Sequence, residues 1–410
     1  MMFNASKEVS HFFNCTRSLS SAIYVVRRLA THALEMIRYG RAQRLTNGNA
    51  LIARLARSAY DKSVEIRTET PVSGLIIGQS RSGKATVIGV EVSGDGNDRR
   101  QLYARKAVVL ASGGFPQDPV LKQHLFEHAP TGHEHVSPAP PGNTGDGWRL
   151  AESAGGQTFD MLPNNAAWIP VSKVPHGDGK FGVFPHLVDR YKPGIIAVLA
   201  NGQRFVNEAN SYHDFGCALR QACQGGTCEA WLICDDRTIN RYGLGYAKPF
   251  PVPKGGLIKS GYLIRARTIQ DLALQAGINS EGLLKTVELV NRDAATGVDT
   301  HYGKGSTAYN RFLGDPSHLP NPCFAEIEKG PFYAVKVVMG DLGTFAGVRT
   351  DENGQVIGSD GSVVPGLYCV GNDALSVMGG AYPGGGITLG PAMTFGYRAA
   401  QSISKKKETT

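Results

Sequence analysis

Apolar residues from Leu19 to Ile37 recur three and four positions apart, the spacing of one helix face. The same spacing returns from Ala50 to Ser58, with Asn49 placed to cap that helix. Ser63 to Thr68 alternates apolar and polar side chains and predicts a strand. Gly74–Gly78, Ala85–Val92 and Leu102–Ala104 are further strand patterns, with Gly94 to Gly96 as a turn ahead of the last, so this stretch predicts a small meander. Lys106 to Phe115 opens as a continuous apolar strand and stops at Gly113 and Gly114. Asn143 to Ala151 is a loop feeding a helix; as a bare motif, Thr144 or Asp146 could cap the first N–H groups, but the glycines on both sides of Asp146 favour contact with a cofactor. From about Ala166 to Pro331 the texture changes to proline, glycine and aromatic residues, followed by amphipathic helices beginning near Thr268 and Gly282. Phe332 to Val337 returns as a strand. Near the C-terminus an apolar strand, Leu367 to Val370, ends in Gly371, Asn372 and Asp373, and Gly384, Gly385 and Gly386 then open a helix rich in small residues.

The 410 residues leave room for two or more domains and a substantial core. The formal charge of +8 is scattered rather than striped with aromatics, so no nucleic acid partner is expected. Of seven cysteines, Cys217, Cys223, Cys228 and Cys234 form a loose cluster without the paired spacing of a zinc site, which predicts no metal and reduced thiols in a cytoplasmic protein. No stretch approaches the roughly 20 apolar residues of a transmembrane segment.

The 51 glycines fit loops that track a large ligand. Glycines ahead of a helix expose backbone N–H groups to a flat ligand, and the helix start adds partial positive charge suited to an anionic or electron-accepting ring edge. The run Gly366–Asp373, then Ala381–Tyr397, resembles the last segment of the fumarate reductase/succinate dehydrogenase flavoprotein superfamily. Its Tyr-Pro-Gly-Gly-Gly variant, Tyr382 to Gly386, resembles 3-ketosteroid Δ1-dehydrogenases in particular. Ala111 to Phe115 is similar to the Ala-Thr-Gly-Gly-Phe of that superfamily, which lies against the adenosine half of FAD, and Thr144 to Gly147 resembles its flavin-contact segment. The resemblance implies FAD as cofactor, bound by Ala111, Ser112, Gly113, Gly114, Thr144, Gly145, Asp146, Gly147, Gly371, Asn372, Asp373, Ile387, Thr388 and Leu389.

It further implies an α/β FAD-binding domain, Rossmann-like, with an inserted α+β cap domain. Residues 1–165 and 332–410 would form the FAD-binding domain and 166–331 the substrate-binding cap. Such domains open with a strand, Gly-x-Gly-x-x-Gly and a helix. No such motif stands near the N-terminus, and Arg41 to Leu55 already resembles a mid-domain segment. The chain is therefore expected to lack its N-terminal βαβ unit and to bind FAD weakly or not at all.

The activity the resemblance implies is introduction of a C1–C2 double bond into a 3-ketosteroid or similar apolar ketone, with an unidentified electron acceptor reoxidising the flavin. A tyrosine hydroxyl and a backbone N–H make a suitable cradle for a developing enolate oxygen, and Tyr382 with the Gly386 N–H matches the family's pair. Tyr212, in a segment resembling the family's cap-domain tyrosine motif, would remove the C2 proton. The family's second assisting tyrosine has no counterpart that the sequence places. Dicarboxylate enzymes carry His and Arg around the terminal glycines; here stand Tyr382 and the apolar Leu375, Val377 and Met378, and Arg204 is expected to be structural. The alternatives are a fumarate-reductase-like flavoprotein acting on another small unsaturated acid or ketone, and a truncated inactive remnant.

Overall fold

The computed structural model describes residues 6–79, 83–93, 99–224, 226 and 228–405, in two units divided after Thr70. The first unit is helical: α1 (Ser6–Phe13), α2 (Leu19–Tyr39) and α3 (Asn47–Asp61). Ser18 caps α2 by accepting the Ser21 N–H at 3.4 Å, and Gly40 ends it in the left-handed region at φ +68°. The α3 cap position is Thr46, so Asn49 lies inside the first turn instead of capping it. Ser63–Thr68 forms no strand, because an alternating pattern becomes one only where another edge pairs with it, and none does.

The second unit opens with the predicted meander: β1 (Val72–Gln79), β2 (Ala85–Ser93) and β3 (Arg99–Tyr103), antiparallel with Val90 opposite both Leu75 and Leu102. Gly94 to Gly96 falls outside the described residues. The unit then builds two layers. In the parallel layer, β4 (Val108–Leu110) runs beside β14 (Val363–Cys369), whose other edge carries β13 (Gln355–Ile357); β5 (Thr158–Phe159) pairs antiparallel with β12 (Gly347–Val348). Helix α4 (Pro119–Leu125) follows β4, α5 (Asp146–Ser153) packs Ala151 against Leu110, Val356, Leu367 and Cys369, and α12 (Leu389–Lys405) packs Ala399 against Tyr368 and Val370.

The antiparallel layer is a six-stranded sheet. Its path is β7 (Phe181–Pro185), β6 (Ala166–Pro175), β11 (Phe332–Thr344), β9 (Glu229–Cys234) and β8 (Ile196–Val198), with β10 (Ile264–Ala266) also on β11. Ala230 and Leu232 of β9 and Val335 and Val337 of β11 join Phe215 and Leu219 of α6 (Tyr212–Cys223) in one core. Trp231, Ile233 and Ala334 face the other way, onto Leu272 of α9 (Ile269–Ala276) and Leu283 and Val287 of α10 (Ser280–Thr296). Burial on both faces explains why these strands are apolar almost throughout. Short helices α7 (Asp236–Tyr242), α8 (Gly255–Lys259) and α11 (Ala308–Phe312) fill the connections. Phe332–Thr344 is a central strand of this sheet, paired with β6 on one side and β9 on the other.

Arg204 has the structural role expected of it. Its guanidinium donates to Glu208 at 2.8 Å and to Asp299 at 2.8 and 3.0 Å, with all three side chains buried. Burial opposes its charge, but Glu208 and Asp299 hold its pKa above the ordinary arginine value. Among the described residues no helix is long and apolar enough to cross a membrane, and the seven cysteines are free thiols. Replacing Arg204 by Met would strand two buried carboxylates. The expected loss is about 3–5 kcal/mol of unfolding free energy, read from urea denaturation.

Candidate active site

β4 and β14 run parallel in register, Leu367 beside Val108 and Cys369 beside Leu110, so Ser112 and Gly371 emerge together beyond their carboxyl ends. That is where open α/β sheets place ligands. The two loops are tied by one buried side chain. Asp373 accepts hydrogen bonds from the Ser112 N–H, from the Gly114 N–H at 2.8 Å, and from the Ser112 hydroxyl at 2.9 and 3.0 Å. The same hydroxyl accepts the Gly147 N–H at 3.1 Å, bringing the third predicted segment into the tie. A Cβ at Gly147 would meet the Asp373 carboxyl carbon at 2.5 Å. Gly114, at φ +81°, has no room either, because Thr344 and Asn372 fill the space its Cβ would take. Gly113, Gly114, Gly145 and Gly147 thus serve close packing of the chain on itself, and Asp373 is a connector.

Neither Thr144 nor Asp146 caps α5. Gly145 occupies the cap position without a side-chain bond. Thr144 Oγ1 donates to Asp146 at 3.3 Å, while Arg149 donates to the Thr144 carbonyl at 2.6 Å and to Asp146 at 3.0 Å. The arginine one turn along outcompetes the helix N–H groups for that carboxylate.

The C-terminal glycines are different. A Cβ at Gly384, Gly385 or Gly386 would meet nothing within 4 Å, and the Gly386 N–H has no hydrogen-bond partner among the described residues. Gly386 sits at φ +101°, a conformation few other residues adopt. Beside this turn lies a narrow cleft of about 30 Å³ whose walls include Gly371, Asn372, Ile387 and Thr388 from the predicted set. Thr344, Phe345, Thr350 and Phe395 also line it and were not singled out from sequence. Ala111 and Ser112 are exposed at the end of β4, and Leu389, also exposed, begins α12.

Tyr212 and Tyr382, 170 positions apart, meet. Tyr212 is the first residue of α6, whose cap Ser211 accepts the Asp214 N–H at 3.1 Å. Tyr382 precedes the glycine turn. Their hydroxyls are hydrogen-bonded to each other, with ring centroids 4.9 Å apart and nearly edge to face. Burial pushes the Tyr382 phenol pKa above its ordinary value, which keeps it protonated and able to donate. Around the pair the walls are apolar: Val136, Ile169, Val171 and Val183 beside Tyr212, Ala167, Phe345 and Ile387 beside Tyr382.

A second buried polar feature had no sequence signal. His128 Nε2 lies 2.9 Å from His135 Nδ1, and His135 Nε2 lies 2.8 Å from Asp341, whose other oxygen accepts the Gly343 N–H at 2.8 Å. Burial depresses the pKa of both histidines, that of His128 to about 2. Among the described residues no three His, Cys, Asp or Glu side chains form a metal site.

A family model described as an FAD binding domain matches residues 5–389. The chain belongs to this family of FAD binding domains. It is 40% identical over 400 residues to 4-oxocyclohex-2-ene-1-carboxylate 5-dehydrogenase of Sinomonas cyclohexanicum, covering 97% of this chain and 66% of that protein. It is 37% identical over 367 residues to the 3-oxosteroid 1-dehydrogenase of Mycolicibacterium smegmatis, covering 87% of this chain and 62% of the relative. The crystal structure of 3-ketosteroid delta1-dehydrogenase from Sterolibacterium denitrificans, in complex with 1,4-androstadiene-3,17-dione, superimposes with a TM-score of 0.86 at 36% identity, over 97% of this chain and 71% of that one. The chain thus spans just under two thirds of the two curated relatives.

Two outcomes follow from this geometry. Asp373→Ala removes the acceptor for two backbone N–H groups and a hydroxyl. It is expected to cost about 1–3 kcal/mol per buried donor left unpaired, measurable as a lowered midpoint of urea unfolding. The depressed histidines make stability pH-dependent. The unfolded chain takes up protons near pH 6.5 while the folded one resists until lower pH, so their contribution is present above about pH 6.5 and is lost as pH falls toward the folded values. His128→Phe should flatten the acid slope of unfolding free energy by up to about 1.4 kcal/mol per pH unit; an unchanged slope would contradict the assignment.

Proposed function

We propose that this chain carries the substrate-facing part of an FAD-dependent dehydrogenase that introduces a carbon–carbon double bond beside a ring ketone. The observation that carries the reading is the contact of the Tyr212 and Tyr382 hydroxyls next to a glycine turn with open space above it. Open glycines and a free N–H are what a flat cofactor or a carbonyl oxygen needs, so the residues fit FAD. Gly371, Asn372, Ile387 and Thr388 would hold its ring system, with Ala111 and Ser112 toward the other end. Bound FAD supplies a hydride acceptor.

The chain's own residues divide the remaining work. In the resting pair Tyr382, kept protonated by burial, can donate to the Tyr212 oxygen, which has to be the phenolate to act as the base. A ketone oxygen entering between Tyr382 and the Gly386 N–H would draw the Tyr382 hydroxyl away. Two donors then face the oxygen where negative charge develops. The freed Tyr212 oxygen takes the proton from the carbon next to the ketone, and the hydride leaves the neighbouring carbon. Apolar walls exclude water and suit a hydrocarbon ring better than a dicarboxylate.

A steroid 3-ketone is the substrate class that the Tyr382–Gly386 variant and the match to the steroid enzyme support. A second reading, a small cyclohexenone carboxylate, is supported by the 40% identity to an enzyme named for one. Both names place a ketone on the ring that is dehydrogenated, so the roles of Tyr212 and Tyr382 are the same in either. The electron acceptor that reoxidises the flavin belongs to neither argument.

In FAD-loaded protein, Tyr382→Phe should reduce desaturation about 10²–10³-fold while flavin absorbance is retained. Undiminished turnover would remove the carbonyl cradle from the reading. Tyr212→Phe should stop exchange of the hydrogen next to the ketone with deuterated buffer while ligand binding persists; exchange at the parent rate would mean that another group is the base. Running both substrate classes side by side decides between steroid and small ring.

A further inference from the structure

His213 is the titratable side chain at the tyrosine pair that this chemistry leaves unused. It follows Tyr212 in α6 and is 4% exposed. Its Nδ1 accepts the Trp168 backbone N–H at 3.1 Å. A ring nitrogen that accepts a hydrogen bond carries no proton, so the imidazole is the neutral Nε2–H tautomer. Burial, the largest influence on it, depresses its pKa, with Asp214 opposing and Arg220 adding to the shift. His213 therefore supplies no charge to either phenol, and its contribution has to be geometric.

The geometry is specific. The imidazole is stacked on the Tyr382 ring, centroids 5.7 Å apart and planes 25° apart, and lies 6.0 Å from Phe345. Trp168, which holds it, sits in β6 opposite Asp341 of the central strand β11, a fixed part of the sheet. Tyr382 stands in a loop with positive-φ glycines on both sides, Gly379 and Gly380 before it and Gly386 after it. Such a loop leaves many ring orientations open. Tyr212 is the only hydrogen-bond partner of the Tyr382 hydroxyl among the described residues.

We propose that His213 is a positioning residue: locked to β6 through Nδ1, it sets the plane of the Tyr382 ring so that the phenol meets Tyr212 and, in turn, the ketone oxygen. This rests on the roles given above to the two tyrosines. A residue that only filled space would leave the phenol contact intact when replaced by another apolar side chain of similar size.

Carbon-13 at Cζ of tyrosine gives a readout that needs neither flavin nor turnover. Tyr382→Phe assigns the Tyr382 resonance, and Tyr212→Phe shows where it moves when its phenol partner is removed. In His213→Leu the Tyr382 resonance is expected to move toward its position in Tyr212→Phe, with secondary structure by circular dichroism unchanged. His213→Phe, which restores an aromatic face but not the Nδ1 acceptor, is expected to recover part of the difference. In the FAD-loaded protein the Leu variant should lose about tenfold in kcat with little change in KM, the pattern of an interaction used in the transition state. A Tyr382 resonance at the parent position in His213→Leu overturns the proposal. Should the Leu variant not fold, no displacement in His213→Phe overturns it equally. If Tyr212→Phe itself leaves the Tyr382 resonance unmoved, the phenol contact is at fault, and the reading of the tyrosine pair falls together with the role of His213.

Discussion

One carboxylate holds the candidate cofactor side of this protein together. Asp373 lies just past β14, and its acceptor oxygens are taken by Ser112 and Gly114, just past β4. Two parallel strands by themselves leave the loops at their carboxyl ends free to diverge. A buried carboxylate cannot tolerate that, because its charge must be matched by donors wherever water is excluded. Ser112 passes the constraint on to Gly147 at the start of α5, so three segments far apart in sequence share one origin. The glycines at 114 and 147 follow from this. Any side chain there would push the carboxylate off its donors or push the loops apart.

The second constraint is the joint between the two layers. β11 ends at Thr344 in the antiparallel sheet, and within a few residues Thr344 Oγ1 donates to the Asn372 carbonyl at 3.1 Å on the parallel side. Gly343, at φ +128°, allows that crossing, since a Cβ there would meet the Asn372 amide and Thr388. Ala167 of β6, Phe345 and Ile387 then form a small apolar core across the joint, with Tyr382 packed against it. The meeting of Tyr212 with Tyr382 is therefore a property of how the layers dock. Neither layer alone would bring the two hydroxyls together.

Much of this was legible in the sequence, and the reasons for the rest are physical. The helices at Leu19 and Gly282, the meander and the strand before Gly371 carry strong periodicity, and periodicity is local. Tyr212 and Tyr382 were found through motif resemblance, which encodes a long-range contact that no local pattern contains. The strand expected at Ser63–Thr68 failed because pairing depends on a partner. Phe332 was legible as the start of a strand, but not its place at the centre of the antiparallel sheet, because a strand buried on both faces looks alike in either sheet. Spacing alone left Asp146 a capping role open, because its competitor, Arg149, acts through side-chain geometry that spacing does not reveal. The His128–His135–Asp341 chain joins positions more than 200 residues apart and had no motif to betray it.

The two sets of glycines show how the same residue type answers opposite demands. At 113, 114 and 147 the missing Cβ is replaced by the chain's own atoms, and the result is rigidity. At 384, 385 and 386 it is replaced by nothing, and the result is an open approach to backbone N–H groups. A site that binds a flat cofactor and a ring ketone needs both, since open backbone is useful only if its position is fixed. Here the fixing comes from outside the open loop: from Asp373 on one side of the cleft and from the Ala167–Phe345–Ile387 core on the other. The Gly386 N–H, unpartnered among the described residues, and the half-buried, protonated Tyr382 are then two donors of different kinds, one backbone and one phenolic, held by different parts of the fold. Charge arising on an oxygen between them would be met without either donor having to reorganise, which is the condition under which hydrogen bonds lower a barrier most.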